Sequence, residues 1–329
     1  MRNLKYLCLI AIISYSGLSH SQTNLQFLSQ KEAKEILTAE DDFISRLSIF
    51  DMSSRMKTDQ DVGKKEFLKF VADSALNWRD NETLRVTQAF RGISNQLERL
   101  NVELPAVIQV ILTSGKEEGN AAYTRGNAII LQREKLWSEI ELTRLMAHEI
   151  FHIYTRNNPS QKDVLYRVIG FYSIPEVEFP LGLKDRKITN PDAPLNNYAI
   201  KVTIHNSQMW VAPILFSSTP RYMTDKGGEF FNYLVLKLLV LKDDKGIDVY
   251  SPNNPRIVGL SEVNGYFEQV GKNTNYIIHP EEILADNFAL MVLDTPDIPS
   301  PEIINQIRKV LERSNLNKSM QSTAKAALD

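Results

Sequence analysis

The chain is almost without cysteine. Cys8 is the single one among 329 residues, and it falls in an N-terminal stretch that reads as a leader. Without that stretch there is no thiol, which excludes disulfides, a cysteine nucleophile and any thiolate metal ligand. Histidine is scarce too, with five in all, so a metal site would need His, Asp or Glu. Runs of Lys or Arg are missing and the net charge is −2. That balance gives no reason to expect nucleic acid or an anionic membrane as partner. Apolar runs are short: FFNYLVLKLLVL (230–241) is interrupted by Lys237 and falls below the ~20 residues that span a bilayer. The sequence has neither an internal repeat nor a low-complexity segment.

What remains is ordinary globular composition, 43% apolar and 24% charged, long enough for one large domain or two modest ones. The N-terminus departs from it. MRNLK carries two positive charges, YLCLIAIISYSGL is apolar, and SHS precedes QT. That pattern predicts a signal peptide over residues 1–21, cut after Ser21, and export to the periplasm or beyond. No cysteine stands at the cut, so the lipoprotein pattern is missing.

Residues 22–102 read as a helical region: KKEFLKFVADSALNW and ETLRVTQAFRGISNQLERL place apolar residues three and four apart, as amphipathic helices do. After ELP the period changes. AVIQVILT (106–113) is β-branched and apolar, and AAYTRGNAIIL (121–131) reads as a second strand. A helix follows to about Arg156, with Ser138 and Glu141 as a capping box, Trp137 and Leu142 as a staple, and NNP as its stop. Within 160–275, YAIKVTI, MWVAPILF and FFNYLVLKLLVL predict a β-rich insertion. KDRKITNPDAPLNNY (184–198) either flanks a cleft or caps that insertion. HPEEILADNFALMVLD (279–294) returns to helix with Pro280 at its first position. PEIINQIRKVLERS (301–314) is a last helix, and residues 316–329 read as a flexible tail.

The third of these helices contains HEIFH. His148 and His152, four apart on a helix, share one face, and two imidazoles so placed can bind one Zn²⁺ at about 2.0–2.1 Å each. Glu149 then lies beside the metal, where it can move a proton between a water and a leaving amine. A catalytic zinc takes a third protein ligand and leaves one position open. A metzincin would place that ligand at position 158, which is Asn158, so that class is excluded. EILAD offers a carboxylate instead: Glu282 as ligand, and Asp286 four residues on to hold the outer nitrogen of a ligand histidine. Glu281 competes with Glu282 but has no acid four residues on. The metal reading requires His148, His152 and Glu282 to converge within about 3–4 Å.

HEIFH and EILAD together resemble the gluzincins, zinc peptidases in which HExxH is completed by a Glu on a later helix. EILAD is similar to the ExxAD motif of the CAAX prenyl peptidases and their soluble relatives, and to the ExxxD of thermolysin-like enzymes. The resemblance implies an α+β fold with a zincin-like core over 103–315, one zinc per chain, ligands His148, His152 and Glu282, base Glu149, and Asp286 behind a ligand histidine. It also implies an edge strand that binds the substrate backbone, for which Ala121, Ala122 and Tyr123 in NAAYTRGNAIIL are the candidates. Such enzymes place a His or Tyr after the third ligand to face the oxyanion. This chain has neither beyond Asp286, so Tyr276 and His279 are the nearest candidates, with Tyr266, His205 and Arg308 behind them. The expected activity is hydrolysis of a peptide or protein substrate. The alternative is a catalytically silent zincin fold that binds or supports in the cell envelope, and a third reading makes the motif accidental. Substrate preference and oligomeric state are not legible.

Overall fold

Two sheets, each sandwiched between other elements, organise the protein. A computed structural model describes residues 23–243 and 245–326, with side chains through Arg313; the leader expected over residues 1–21 lies outside the described residues. The chain is mixed α+β. Its strands are β1 (Asn24–Phe27), β2 (Ala75–Leu76), β3 (Val107–Thr113), β4 (Tyr123–Arg125), β5 (Ala128–Gln132), β6 (Phe171–Ser173), β7 (Tyr198–Ile204), β8 (Ser207–Ser217), β9 (Leu234–Lys242) and β10 (Ile257–Val258). Its helices are α1 (Gln30–Leu37), α2 (Asp42–Ser45), α3 (Ile49–Arg55), α4 (Lys64–Ser74), α5 (Asp80–Arg99), α6 (Glu139–Asn157), α7 (Pro159–Val168), α8 (Tyr266–Val270), α9 (Pro280–Val292) and α10 (Pro301–Ala326).

The first sheet runs β1-β3-β5-β4, with β2 also paired to β3. Its central strands are parallel and β4 is antiparallel to β5. The near-continuous apolar runs of β3 and β5 follow from burial on both faces. Ile108, Val110, Leu112, Ile129 and Leu131 meet the core shared with α5, α6 and α9. Ile111, Ala128 and Ile130 point the other way, onto the N-terminal helices. The second sheet is antiparallel throughout, in the order β10-β9-β8-β7-β6. One face, with Ile200, Val202, Val211 and Val240, joins the main core, and the other, with Ala212, Ile214 and Leu239, forms a smaller one.

Several elements differ from the sequence expectation. AAYTRGNAIIL is a hairpin, not one strand: Gly126, at φ 55°, turns the chain between β4 and β5, a left-handed conformation that glycine adopts without strain. The 22–102 region is not wholly helical, because β1 and β2 add to the first sheet. Residues 230–233 form a short 3₁₀ turn, and the strand starts at Leu234. Pro159, read as a stop, is also the first residue of α7. The last helix continues through residue 326, where a tail was expected; from 315 on, no Pro or Gly stands in its way. Among the described residues, no helix is long and apolar enough to cross a membrane.

Candidate metal centre

The centre is made by the crossing of α6 and α9. α6 begins at Ser138, whose hydroxyl accepts from the Glu141 amide at 3.4 Å; Trp137 is half exposed, with the Arg85 guanidinium over its ring. The inner face of α6 carries Leu142, Met146, Ile150 and Ile153, all buried, each worth about 1.5–3 kcal/mol. Phe151 meets Phe288 of α9 with ring centres 5.4 Å apart, which brings the two helices into register. α9 starts with Pro280 at its first turn and His279 as cap.

The structure brings His148, His152 and Glu282 together. Nε2 of His148 lies 3.1 Å from Oε2 of Glu282, and Nε2 of His152 lies 3.7 Å from the same oxygen. The three donor atoms are mutually within 4.8 Å. The rings of His148 and His152 stand 4.8 Å apart at 81°, as two residues one helical turn apart allow. All three side chains are buried or nearly so.

Each histidine is held from behind. Nδ1 of His148 faces Asp286 Oδ1 at 3.1 Å, and Asp286 accepts in turn from Thr274 Oγ1, with Arg144 3.8 Å away. Nδ1 of His152 faces Glu281 Oε1 at 3.0 Å. Glu281, weighed from sequence as a rival ligand, is thus the orienting partner of the second histidine. It is fixed by Thr155 Oγ1 (2.6 Å), the Tyr166 hydroxyl and Lys162 Nζ (3.1 Å). Such partners fix the tautomer so that Nε2 is the nitrogen offered to a ligand.

Two buried atoms at this centre, His152 Nε2 and Glu149 Oε2, have no hydrogen-bond partner. A buried polar atom left unpaired costs about 1–3 kcal/mol, so an orphan imidazole nitrogen beside a carboxylate fits a cation. The donor set, two imidazoles and one carboxylate, matches what zinc and its first-row neighbours accept.

Electrostatics carry the same signature. Burial works against a charged His152, but Asp192, Glu282 and the Glu281 bond outweigh it and raise its pKa to about 9. Burial likewise opposes the charge on His148, whose bonds to Asp286 and Glu282 lift it well above the ordinary value. Glu149 is pushed up to about 8 by burial and by the nearby Asp192. Glu282 is lowered against its own burial by His152 and His148. The surrounding carboxylates thus favour positive charge at these imidazoles, as they would favour a cation.

A cavity of about 590 Å³ opens beside these residues, lined among others by Arg144, Glu149, Asn190 and Tyr276. Tyr276 is brought to it, with its ring 6.5 Å from that of His148. Over a third of Tyr276 is exposed, yet burial of its phenol and the charges of Glu282, Asp192 and Glu149 hold it protonated far above the usual range. His279 is not brought to this cavity. Its Nδ1 accepts from the Glu281 amide at 3.1 Å, and burial with Lys162 nearby lowers its pKa to about 4. The Tyr266 hydroxyl donates to the Ile277 carbonyl, His205 sits in the β7–β8 turn, and Arg308 pairs with Asp294. Ala121 and Ala122 line the cavity just before β4, whereas Tyr123 begins the strand and is buried against the N-terminal helices.

One participant gave no signal in the sequence. The segment following Thr189 passes over the site. Asn190 Nδ2 donates to Glu282 Oε1 at 2.6 Å. Asp192 accepts from the Thr124 amide (2.8 Å) and hydroxyl (2.5 Å) and forms a second close group with Glu149 and His152. NPDAP shows only a polar, proline-flanked loop; nothing local indicates where it crosses. No protein-family model, curated protein or solved structure matches the chain.

Proposed function

We propose that this protein is an exported zinc-dependent metallopeptidase of gluzincin type, with a zincin-like core. One observation carries the reading: His148, His152 and Glu282, from helices far apart in sequence, put three donor atoms within 4.8 Å of one another and leave His152 Nε2 unpaired. His148, His152 and Glu282 would hold the zinc. When bound, it supplies Lewis acidity to the scissile carbonyl and to the attacking water.

The chain's own residues do the rest. Glu149 Oε2, free of partners and beside the ligand histidines, takes the proton of the attacking water and passes it to the leaving amine. Burial and Asp192 raise its pKa to about 8, and a cation held by the ligand residues would lower it so that it could accept a proton near neutral pH. Asp286 and Glu281 keep each imidazole presenting Nε2. Tyr276, protonated at the cavity wall, would donate to the developing oxyanion. Convergence of the motifs speaks against an accidental HEIFH.

A second reading has its own support. Asp192 lies with Glu149 and His152 in a second group of potential ligand atoms within 4.8 Å of one another, as expected if a protein carboxylate closed the centre and left it catalytically silent. Purified wild type and Glu149→Gln assayed side by side decide between them. The peptidase reading expects equal zinc in both and hydrolysis in the wild type alone; zinc in both without hydrolysis in either supports the silent fold.

A further inference from the structure

The strongest unexplained feature is the path of residues 189–195. β4 is the free edge of the first sheet, and the residues around it line two separate cavities. Asn120, Ala121 and Ala122 line the one beside His148 and Glu149. Thr124, Arg125 and Gly126 line a second, of about 450 Å³, beside His152 and Arg156. Both have α6 as one wall; opposite it stands the chain leading into β4 in the first cavity and β4 with its turn in the second. What divides them is the loop: Pro191 and Asp192 line both.

The division falls on the atom a peptide would use. An extended ligand joins a sheet edge through the outward backbone groups of the edge strand. In β4 the outward amide is that of Thr124, and Asp192 Oδ1 takes it together with the Thr124 hydroxyl. Arg156 braces the arrangement through Thr124 Oγ1 at 2.8 Å and lies 3.9 Å from Asp192. Asn190 reaches the opposite wall at Glu282 and also accepts the Asp192 amide at 2.9 Å. The entry of the loop is anchored: Asp51, held by buried Arg55, accepts from both the amide and the hydroxyl of Thr189. Between Thr189 and β7 there is no regular structure, only a polar loop with Pro191 and Pro194.

We propose that Asn190–Pro194 is an autoinhibitory strap that occupies the place of substrate backbone. Asp192 stands in for a peptide carbonyl on Thr124, and the two cavities are halves of one trough that opens when the strap lifts. The three residues of β4, at about 3.3 Å each, give a paired edge of roughly 10 Å, and Ala121 and Ala122 continue the trough toward His148. The inference rests on the peptidase reading for its purpose, but pairing to the β4 edge needs no metal, so the two can fail separately.

The test is a titration of full-length Glu149→Gln, which cannot turn over substrate, with a fluorescein-labelled hexapeptide of alanine, phenylalanine and leucine, with and without zinc. The readout is anisotropy. Adding Asp192→Ala removes the competing acceptor of a charge-assisted hydrogen bond, and the strap account expects peptide binding about ten-fold tighter or more in both conditions. Hydrogen exchange at the 122–126 backbone should speed up in that variant and slow again with peptide. Should Asp192→Ala fail to fold, Pro194→Gly loosens the strap without touching any ligand residue and must shift affinity in the same direction. Unchanged or weaker peptide binding in a folded variant overturns the strap. Absence of zinc from the wild type overturns the metal reading and leaves the peptide titration to decide the strap by itself.

Discussion

Nδ1 of His152 lies 3.0 Å from Oε1 of Glu281, and that bond decides which nitrogen of the ring is free. Nε2, left over, is the buried orphan 3.7 Å from Glu282. In the proposed centre, adjacent glutamates would serve one metal site from two sides, Glu282 toward the ion and Glu281 behind the imidazole. Glu281→Gln keeps the shape but removes the charge that makes the imidazole a better donor. Zinc affinity should fall about ten-fold or more, measured by competition with a chromophoric chelator. An unchanged affinity would mean that Glu281 only packs.

On the zinc proposal, protons and the metal would compete for the same atoms. At pH 7 the metal-free protein holds a proton on His152, whose pKa is about 9, and on Glu149, at about 8. Zinc binding at pH 7 should therefore release at least one proton, with the release declining as pH rises through about 9; calorimetry in two buffers of different ionisation heat measures it. Both groups have folded values above their unfolded ones. Their contribution to metal-free stability is full below those unfolded values, 6.5 and 4.5, and is lost as pH rises through 9 and 8. The melting temperature of the metal-free protein should fall between pH 6.5 and 9. A rise over that window would contradict the arrangement.

The fold places a second demand on buried charge. Arg55 is fully buried between Asp51 (2.7 Å) and Glu118 (2.5 Å). Arg55→Met leaves two buried carboxylates without a cation, and should cost about 3–5 kcal/mol at pH 8 in urea unfolding. Burial pushes Glu118 up to about 7 even with Arg55 present. At pH 5 the carboxyl can take a proton instead, so the loss should be smaller there. A loss under about 1 kcal/mol at both pH values would show that the triad is not worth what its burial implies.

Tyr276, at the cavity wall, is the proposed donor to the oxyanion. Tyr276→Phe removes only the hydroxyl, so zinc content and fold should be kept while kcat drops about 10²–10³-fold, the usual effect of losing one such donor. Steady-state kinetics with zinc analysis checks it, and an unchanged kcat would move that role to another group.

The sequence told most where the signal was local. HEIFH and EILAD needed only helical spacing, and both stand on the helices their caps announce, α6 and α9. YAIKVTI matched β7 to the residue, because alternation and the following turn are short-range features. The β4–β5 hairpin was hidden because TRGN interrupts the apolar run by so little, and a single glycine reverses the chain. β1 and β2 were hidden for a different reason: four- and two-residue strands carry too little period, and they exist by pairing with β3. Asp192 and Glu281 owe their roles to contacts with residues 68 and 129 positions away, which no window along the chain contains. That Glu282 meets the histidines was legible and the place of Asp192 was not, because only the first lies on a helix whose face could be drawn in advance.

If α6 and α9 build one zinc site, metal content shows it most directly. Mass spectrometry of purified wild type, Glu149→Gln and Glu282→Gln should find about one zinc per chain in the first two and much less in the third. Wild type without zinc, or Glu282→Gln holding as much as wild type, would contradict it.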